Sequence, residues 1–569
     1  MKTFNKIYAV VLVVAVAFCG CSESFLDRYP ASSTLLQDQY EKLDNTLEGS
    51  MRGIYSMLYA VSDHDAFGQR SIDMYGDLLC GDMALTSETY GWFSNDEKQQ
   101  VRTGRSGYVW TYYYDILRNI NMVIRTVKTQ TTLLDSVAVY GFPTDGMKVI
   151  DGSGNVVHQY NSEDSLHAVY YAQALTMRGY VYSGLIRFFV PTVDHLFGGA
   201  YNLTNYPAFP LYTEDNLDNG PQPLAMINQV YNLVESDFDN AIKYFETFGK
   251  DYARNTKLEV DVNVARGLAA YYYLNRAREI DVTATDPLLA IPMRKALNLA
   301  VDVIDSQNFS IIPSNAANNG VLTSGFNSVS NDSWMWGQTV TVETAGGLAS
   351  FFGQVDIHSY SYAWAGDTKV IDKNLYDAIP VWDIRKRWFN DGSANSSFTL
   401  CPDKKFFSAK NPNSTASDDI DREWLSDNVF MRVELMYLIA SEASYFLQKQ
   451  DSAQLFLTDL ISNRIDTTAA ATAAYTTFAA TLSTPSVFVQ ELIRNWRLEL
   501  WGEGYGLQTF RRLTSHAYRW YNESTDTEEE KVRRGSNHLY NAGKEMDYSD
   551  ETIFTLQIPA SETNYNPNM

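Results

Sequence analysis

Phe430-Met431-Arg432-Val433-Glu434-Leu435-Met436-Tyr437-Leu438-Ile439-Ala440-Ser441-Glu442-Ala443-Ser444-Tyr445-Phe446-Leu447 is the stretch on which the fold turns. Its apolar residues return at spacings of three and four, which predicts an amphipathic helix. A second helical block, Ser452–Ile465, follows after only a few residues. So short a connection makes the two helices antiparallel neighbours. Small residues at the crossing, Ala440 and Ala443, suit a tetratricopeptide-like helix pair, although the full tetratricopeptide consensus does not recur at a regular period.

Working outward, the same period marks Val109–Val127, Ser165–Phe189, Ala225–Phe245, Val260–Ala277, Pro292–Ile304 and Val487–Trp501 as helices. In the first of these, apolar residues fall at Trp110, Tyr114, Leu117, Ile120 and Ile124. Pro223 and Pro485 each precede a block, where proline is tolerated at a helix start. An earlier helix is expected over Leu36–Leu58. Between the blocks lie long irregular stretches, Tyr75–Gly107, Pro313–Trp388 and Ala394–Asp427. Loops of that length are usually functional or disordered, and loops studded with tryptophan are poor candidates for disorder. The expectation is a mainly α fold, a helix-pair scaffold with a loop-rich region inserted around 313–427.

At the N-terminus, Lys2 and Lys6 precede an apolar run from Tyr8 to Phe18. A stable membrane-spanning helix needs ~20 apolar residues, so this run is too short to cross. It reads as a signal peptide over 1–20. Phe18-Cys19-Gly20-Cys21 resembles a bacterial lipobox, which makes Cys21 the expected site of lipidation. Ser22-Glu23-Ser24-Phe25-Leu26-Asp27 resembles the surface-export tag of Bacteroidetes lipoproteins. Several acyl chains on Cys21 would supply the anchoring that one chain cannot. The expected location is the outer membrane, held by lipid and facing outward.

The 569 residues are 45% apolar, enough for a large packed core, and carry a net charge of −23. That charge repels phosphate backbones and argues against a nucleic-acid partner. Aromatic residues make up 14%, with 38 Tyr and 11 Trp. On a polar surface such rings give contact area at low entropic cost. The two remaining cysteines, Cys80 and Cys401, are either a disulfide or two buried thiols; a disulfide framework and a Cys-rich zinc site are excluded by count.

Several pieces together resemble the SusD/RagB family. They are Trp110-Thr111-Tyr112-Tyr113-Tyr114 leading to Asn121, Ala174-Leu175-Thr176-Met177-Arg178, and Arg432 to Ala443. Arg497-Leu498-Glu499-Leu500-Trp501-Gly502-Glu503-Gly504 with Phe510-Arg511-Arg512 follows, with Gly506 near the position where the pattern has an arginine. Leu556-Gln557-Ile558-Pro559, Glu562 and Asn566-Pro567-Asn568 close the chain. The resemblance implies one SusD-like domain over 21–569 that binds an oligosaccharide or peptide. It also implies a SusC-like, TonB-dependent barrel as partner.

No catalytic site, cofactor or metal centre is expected. Arg432, Glu442, Arg497, Glu499 and Glu503 sit on amphipathic helices and read as paired structural charges, since buried charges survive only when paired. The seven histidines lack metal-ligand spacing, and neither a His-Glu-x-x-His motif nor a nucleophile elbow is present. Asp418, Asp419, Asp421 and Glu423 read as a solvated acidic loop rather than a calcium site. Gly502-Glu503-Gly504-Tyr505-Gly506 follows a helix and reads as its terminating turn. The aromatic residues of the loops are the better ligand-binding candidates: Tyr90, Trp92, Trp334, Trp336, Tyr360 and Trp364, with Asn95 for sugar hydroxyls. The competing reading from another class is a surface glycan hydrolase, which needs two carboxylates facing across a cleft.

Overall fold

The computed structural model describes residues 46–569, apart from 88, 99–103, 192–205, 279–286, 315–319, 324, 394, 408–424, 514–515, 519–537, 541–544 and 548–553. The signal stretch, Cys21 and the acidic loop Asp418–Glu423 therefore lie outside the described residues. Helices form where the apolar period runs: α1 (Thr46–Met57), α2 (Gln69–Cys80), α3 (Gly104–Gln130), α4 (Ser162–Phe189), α5 (Ile227–Phe248), α6 (Val262–Arg278) and α7 (Pro287–Asp305). A loop-rich stretch holding α8 (Phe351–Val355) leads to α9 (Val433–Phe446), α10 (Gln450–Ser462), α11 (Pro485–Glu499) and α12 (Gly506–Leu513). The fold is mainly α. Strands are short: β1 (Met83–Leu85), β2 (Trp334–Gln338), β3 (Lys369–Ile371) and β4 (Asn428–Arg432). β1 pairs antiparallel with β3, Met83 opposite Ile371, and β2 pairs with β4, Trp334 opposite Arg432.

Local chemistry sets the helix ends. Asn161 and Asp164 form a capping box at the start of α4, each accepting the other's backbone N–H at 2.9 Å. Pro485 opens α11 as its first residue. Pro223 does not open α5; it leads into a short strand, Leu224–Met226, and the helix begins at Ile227. Consecutive helices pack as expected, α4 on α5, α6 on α7 and α9 on α10, with α3 against α4. Two glycines set how closely they cross. A Cβ on Gly179 would lie 2.8 Å from the ring of Phe238, and one on Gly184 would lie 2.4 Å from that of Tyr113.

The stretch Tyr75–Gly107 is more ordered than the sequence suggested. Its first residues finish α2 and its last begin α3. α2 is buried on every side, polar residues included. Its apolar residues Ile72, Tyr75, Leu78 and Leu79 nonetheless recur at helical spacing, a signal the sequence carries and the reading of this stretch as irregular passed over.

The charged signature residues are structural. Glu499 accepts from Arg464 (2.8 Å), Arg432 (3.1 Å) and Arg385 (3.1 Å), and Glu503 from Arg432 and Lys405 (both 2.8 Å). Arg464 also reaches Glu434 at 3.1 Å, and Arg385 reaches Asp383 at 2.7 Å. Burial alone would raise the Glu499 carboxyl, but Arg464, Arg432 and Arg385 hold it well below the usual range. Burial lowers the Lys405 ammonium to about 8 despite Glu503. Glu442 pairs with Arg512 and Arg497 with Asp82, both at 2.6 Å. This network joins α11 and the turn after it to β4, α9 and the loop-rich region.

That turn has Gly502 and Gly504 at φ 74° and 85°, as a helix-ending turn requires. Gly504 and Gly506 donate their N–H groups to Asp77 at 3.3 and 3.1 Å. A Cβ on Gly506 would stand 2.7 Å from that carboxylate. Burial and then the charge of Asp82 push Asp77 up to about 7. Cys80 and Cys401 are both free and buried, and burial pushes the Cys401 thiol up to about 12.

Candidate ligand-binding site

The loop-rich region has its own aromatic core, to which Trp334 belongs, while Trp336 is buried against Tyr180 and Phe430. Trp334 and Trp336 are 0% and 1% exposed. Their indole N–H groups donate to the carbonyls of Gly325 (2.8 Å) and Leu258 (2.7 Å). Both lie on β2, whose residues are all buried, and Trp334 packs with Phe326, Phe351, Trp388 and Trp501. They are removed from the candidate site, because neither ring reaches the surface at which a glycan arrives. Trp110, Trp496 and Trp501 are buried, as their helix positions implied.

The other candidates are at the surface. Tyr90, Tyr360 and Trp364 are 51%, 54% and 44% exposed, Asn95 is exposed and Trp92 is half-buried against the core. Gly91 (φ 80°) and Phe93 (φ 62°) both turn left-handed around Trp92. Phe93 enters the core, where it meets Phe67 edge-on, while Trp92 lies half-buried against that core's edge.

Two residues the sequence reading did not select complete the patch. Trp92 stacks on His64 with centroids 5.0 Å apart. The Tyr362 hydroxyl is 2.9 Å from His64 Nδ1, and its ring meets Tyr90 edge-on at 5.0 Å. Burial raises the Tyr362 phenol, so at neutral pH it carries its proton. Tyr360 and Trp364, two residues to either side of Tyr362, pair with each other at 5.7 Å. Nothing in the local pattern around His64 singles it out. Tyr362 was legible only as the middle of Tyr360-x-Tyr362-x-Trp364.

A layer of buried charge fixes this geometry. Arg105 binds Asp65 and Asp96, each at 3.0 Å, so one guanidinium holds the segments carrying His64 and Asn95. Its guanidinium also lies 5.0 Å from the centre of the Phe93 ring. The His64 carbonyl accepts from Gln354 (2.8 Å), whose own carbonyl accepts from Lys369 (2.8 Å), itself paired with Asp367 at 3.2 Å. His538 stands between Glu97 (2.9 Å) and Asp372 (3.0 Å), joining the end of the Asn95 segment to the end of β3. Among the described residues no group of His, Cys, Asp or Glu is arranged to hold a metal ion, and no helix is long and apolar enough to cross a membrane.

The sequence pattern of the SusD family matches residues 362–569. A SusD-like protein of Bacteroides ovatus is 24% identical over 281 residues, 49% of this chain and 41% of that protein's length. Among solved structures, a SusD-like carbohydrate binding protein from Bacteroides vulgatus superposes with a TM-score of 0.62 at 20% identity, over 92% of this chain and 96% of that one. A SusD superfamily protein from Bacteroides thetaiotaomicron gives 0.66 at 19% identity, over 92% and 98%. At such identities the structures show a shared fold. The chain thus has the fold of the SusD-like proteins, and its residues 362–569 carry the sequence pattern of the SusD family.

Proposed function

We propose that this protein captures a glycan on the patch formed by Tyr90, Trp92, Tyr360 and Trp364 and delivers it to a TonB-dependent, SusC-like barrel. The observation that carries the reading is the gathering of exposed rings from two distant segments onto one rigid support. Sugar rings present C–H faces that pack on flat aromatic faces, and their hydroxyls need polar partners such as the Asn95 amide. Tyr362 and His64 back the platform from below. The carbohydrate-binding relative of known structure supports a sugar over a peptide. Anchoring through an acylated Cys21, outside the cell, completes the reading. A hydrolase would need a free pair of facing carboxylates; Asp65 and Asp96, beside the patch, are both bound to Arg105.

The test has two arms. Native electrophoresis through gels of soluble polysaccharides should retard the protein in at least one, with no release of reducing ends. Mild detergent extracts of native membranes should yield the protein with a barrel, and Cys21→Ala should abolish acyl labelling and membrane retention. Reducing-sugar release would replace this reading with the hydrolase.

A further inference from the structure

A partly open pocket lies apart from the aromatic patch, where the helix scaffold meets the β2–β4 pair. It has a volume of about 90 Å³ and is bounded by α2, α3, α4, α5, α6 and α12. Its walls are mostly rings, including Tyr113, Tyr180, Tyr271, Tyr505 and Trp336. Arg187 lines it among them.

The cation is the unexplained feature. Arg187 donates to the Gly504 carbonyl at 3.1 Å, its Nε has no partner, and it makes no ion pair among the described residues. The two carboxylates on the wall have cations of their own. Asp73 is bound by Arg70 at 3.0 Å, and Glu503 by Arg432 and Lys405 at 2.8 Å. Asp73 acts on the half-buried guanidinium only from beyond ion-pair distance, so a carboxylate bonded to it directly would be favourable. The Tyr271 hydroxyl makes no well-aligned hydrogen bond, with Asn275 and Arg512 beside it. Burial pushes the phenols of Tyr113, Tyr180 and Tyr271 up, so all three remain O–H donors.

Water alone suits the space poorly, since each molecule needs two to four polar partners and aromatic faces offer few. A cavity of this size holds a molecule of about four or five heavy atoms, judged against one of ~150 Å³ that takes benzene. We infer that the cavity is a binding site for a small aliphatic monocarboxylate, its carboxylate on Arg187 and the tyrosine hydroxyls and its alkyl end against the rings. The site is separate from the glycan platform and does not depend on it.

Propionate is the probe. Calorimetric titration of the full chain with sodium propionate should show saturable binding, whereas sodium chloride at matched ionic strength should show none. Arg187→Gln should weaken propionate binding roughly tenfold or more, the scale of a lost charge-assisted bond. Ser183→Leu, which fills the cavity without changing the cation, should block it as well. If Arg187→Gln fails to fold, Ser183→Leu decides. Polysaccharide retention by folded variants should match wild type. The assignment is overturned if wild type shows no saturable propionate binding, if chloride gives an equal response, or if the folded variants bind as wild type does.

Discussion

His64 lies stacked against Trp92, ring centroids 5.0 Å apart and planes 28° from parallel. The two residues come from different segments, and both segments are held by Arg105 through Asp65 and Asp96. The segments carrying the patch are thus tied together by one buried guanidinium.

Arg105 is a positioning residue. Arg105→Gln leaves Asp65 and Asp96 without their cation and should loosen both segments. Hydrogen exchange should rise selectively in residues 62–66 and 92–97, with weaker polysaccharide retention. Uniform exchange across the chain would instead indicate a global loss of stability.

Glu499 faces three guanidiniums. Replacing it with glutamine leaves buried positive charge uncompensated and should cost ~3–5 kcal/mol in denaturant unfolding. Its carboxyl is depressed in the folded state, so its contribution is present above the unfolded value of ~4.3 and is lost as pH falls. Glu499→Gln should therefore flatten the acid limb of the stability–pH curve.

Asp77 has the opposite sign. Its carboxyl is raised to about 7. Its contribution is complete below the unfolded value of ~3.9 and is lost as pH rises through about 7. Wild type should lose stability between pH 5 and 8 relative to Asp77→Asn, by an amount on the order of 1–3 kcal/mol. Parallel curves for the two proteins would show that Asp77 is ionised throughout.

Helix existence was legible where the apolar period is strong, as in α5, and that the charged signature residues are paired followed from the cost of buried charge, although their partners, such as Arg385 and Arg464 for Glu499, did not. The tryptophans of the loops were harder. Trp334 and Trp364 both sit in polar, irregular sequence, yet one is core and the other surface. The difference lies in strand pairing with β4, a contact 98 residues distant in sequence (Trp334 to Arg432), which no local pattern encodes. His64 and Tyr362 escaped for the same reason: their roles exist only once residues almost 300 positions apart are in contact.

The central claim is that exposed loop rings bind glycan while buried ones hold the fold. The most direct test is calorimetric titration, with the polysaccharide that retards wild type, of Trp92→Ala, Trp364→Ala and Trp334→Ala, alongside unfolding in denaturant. Removing a stacking ring should weaken binding by about 1–3 kcal/mol. Trp364→Ala should leave stability near wild type, and Trp92→Ala, half-buried, should cost less than Trp334→Ala. Trp334→Ala should lose ~3–5 kcal/mol of stability and keep wild-type affinity while folded. Wild-type affinity in both Trp92→Ala and Trp364→Ala would contradict the account.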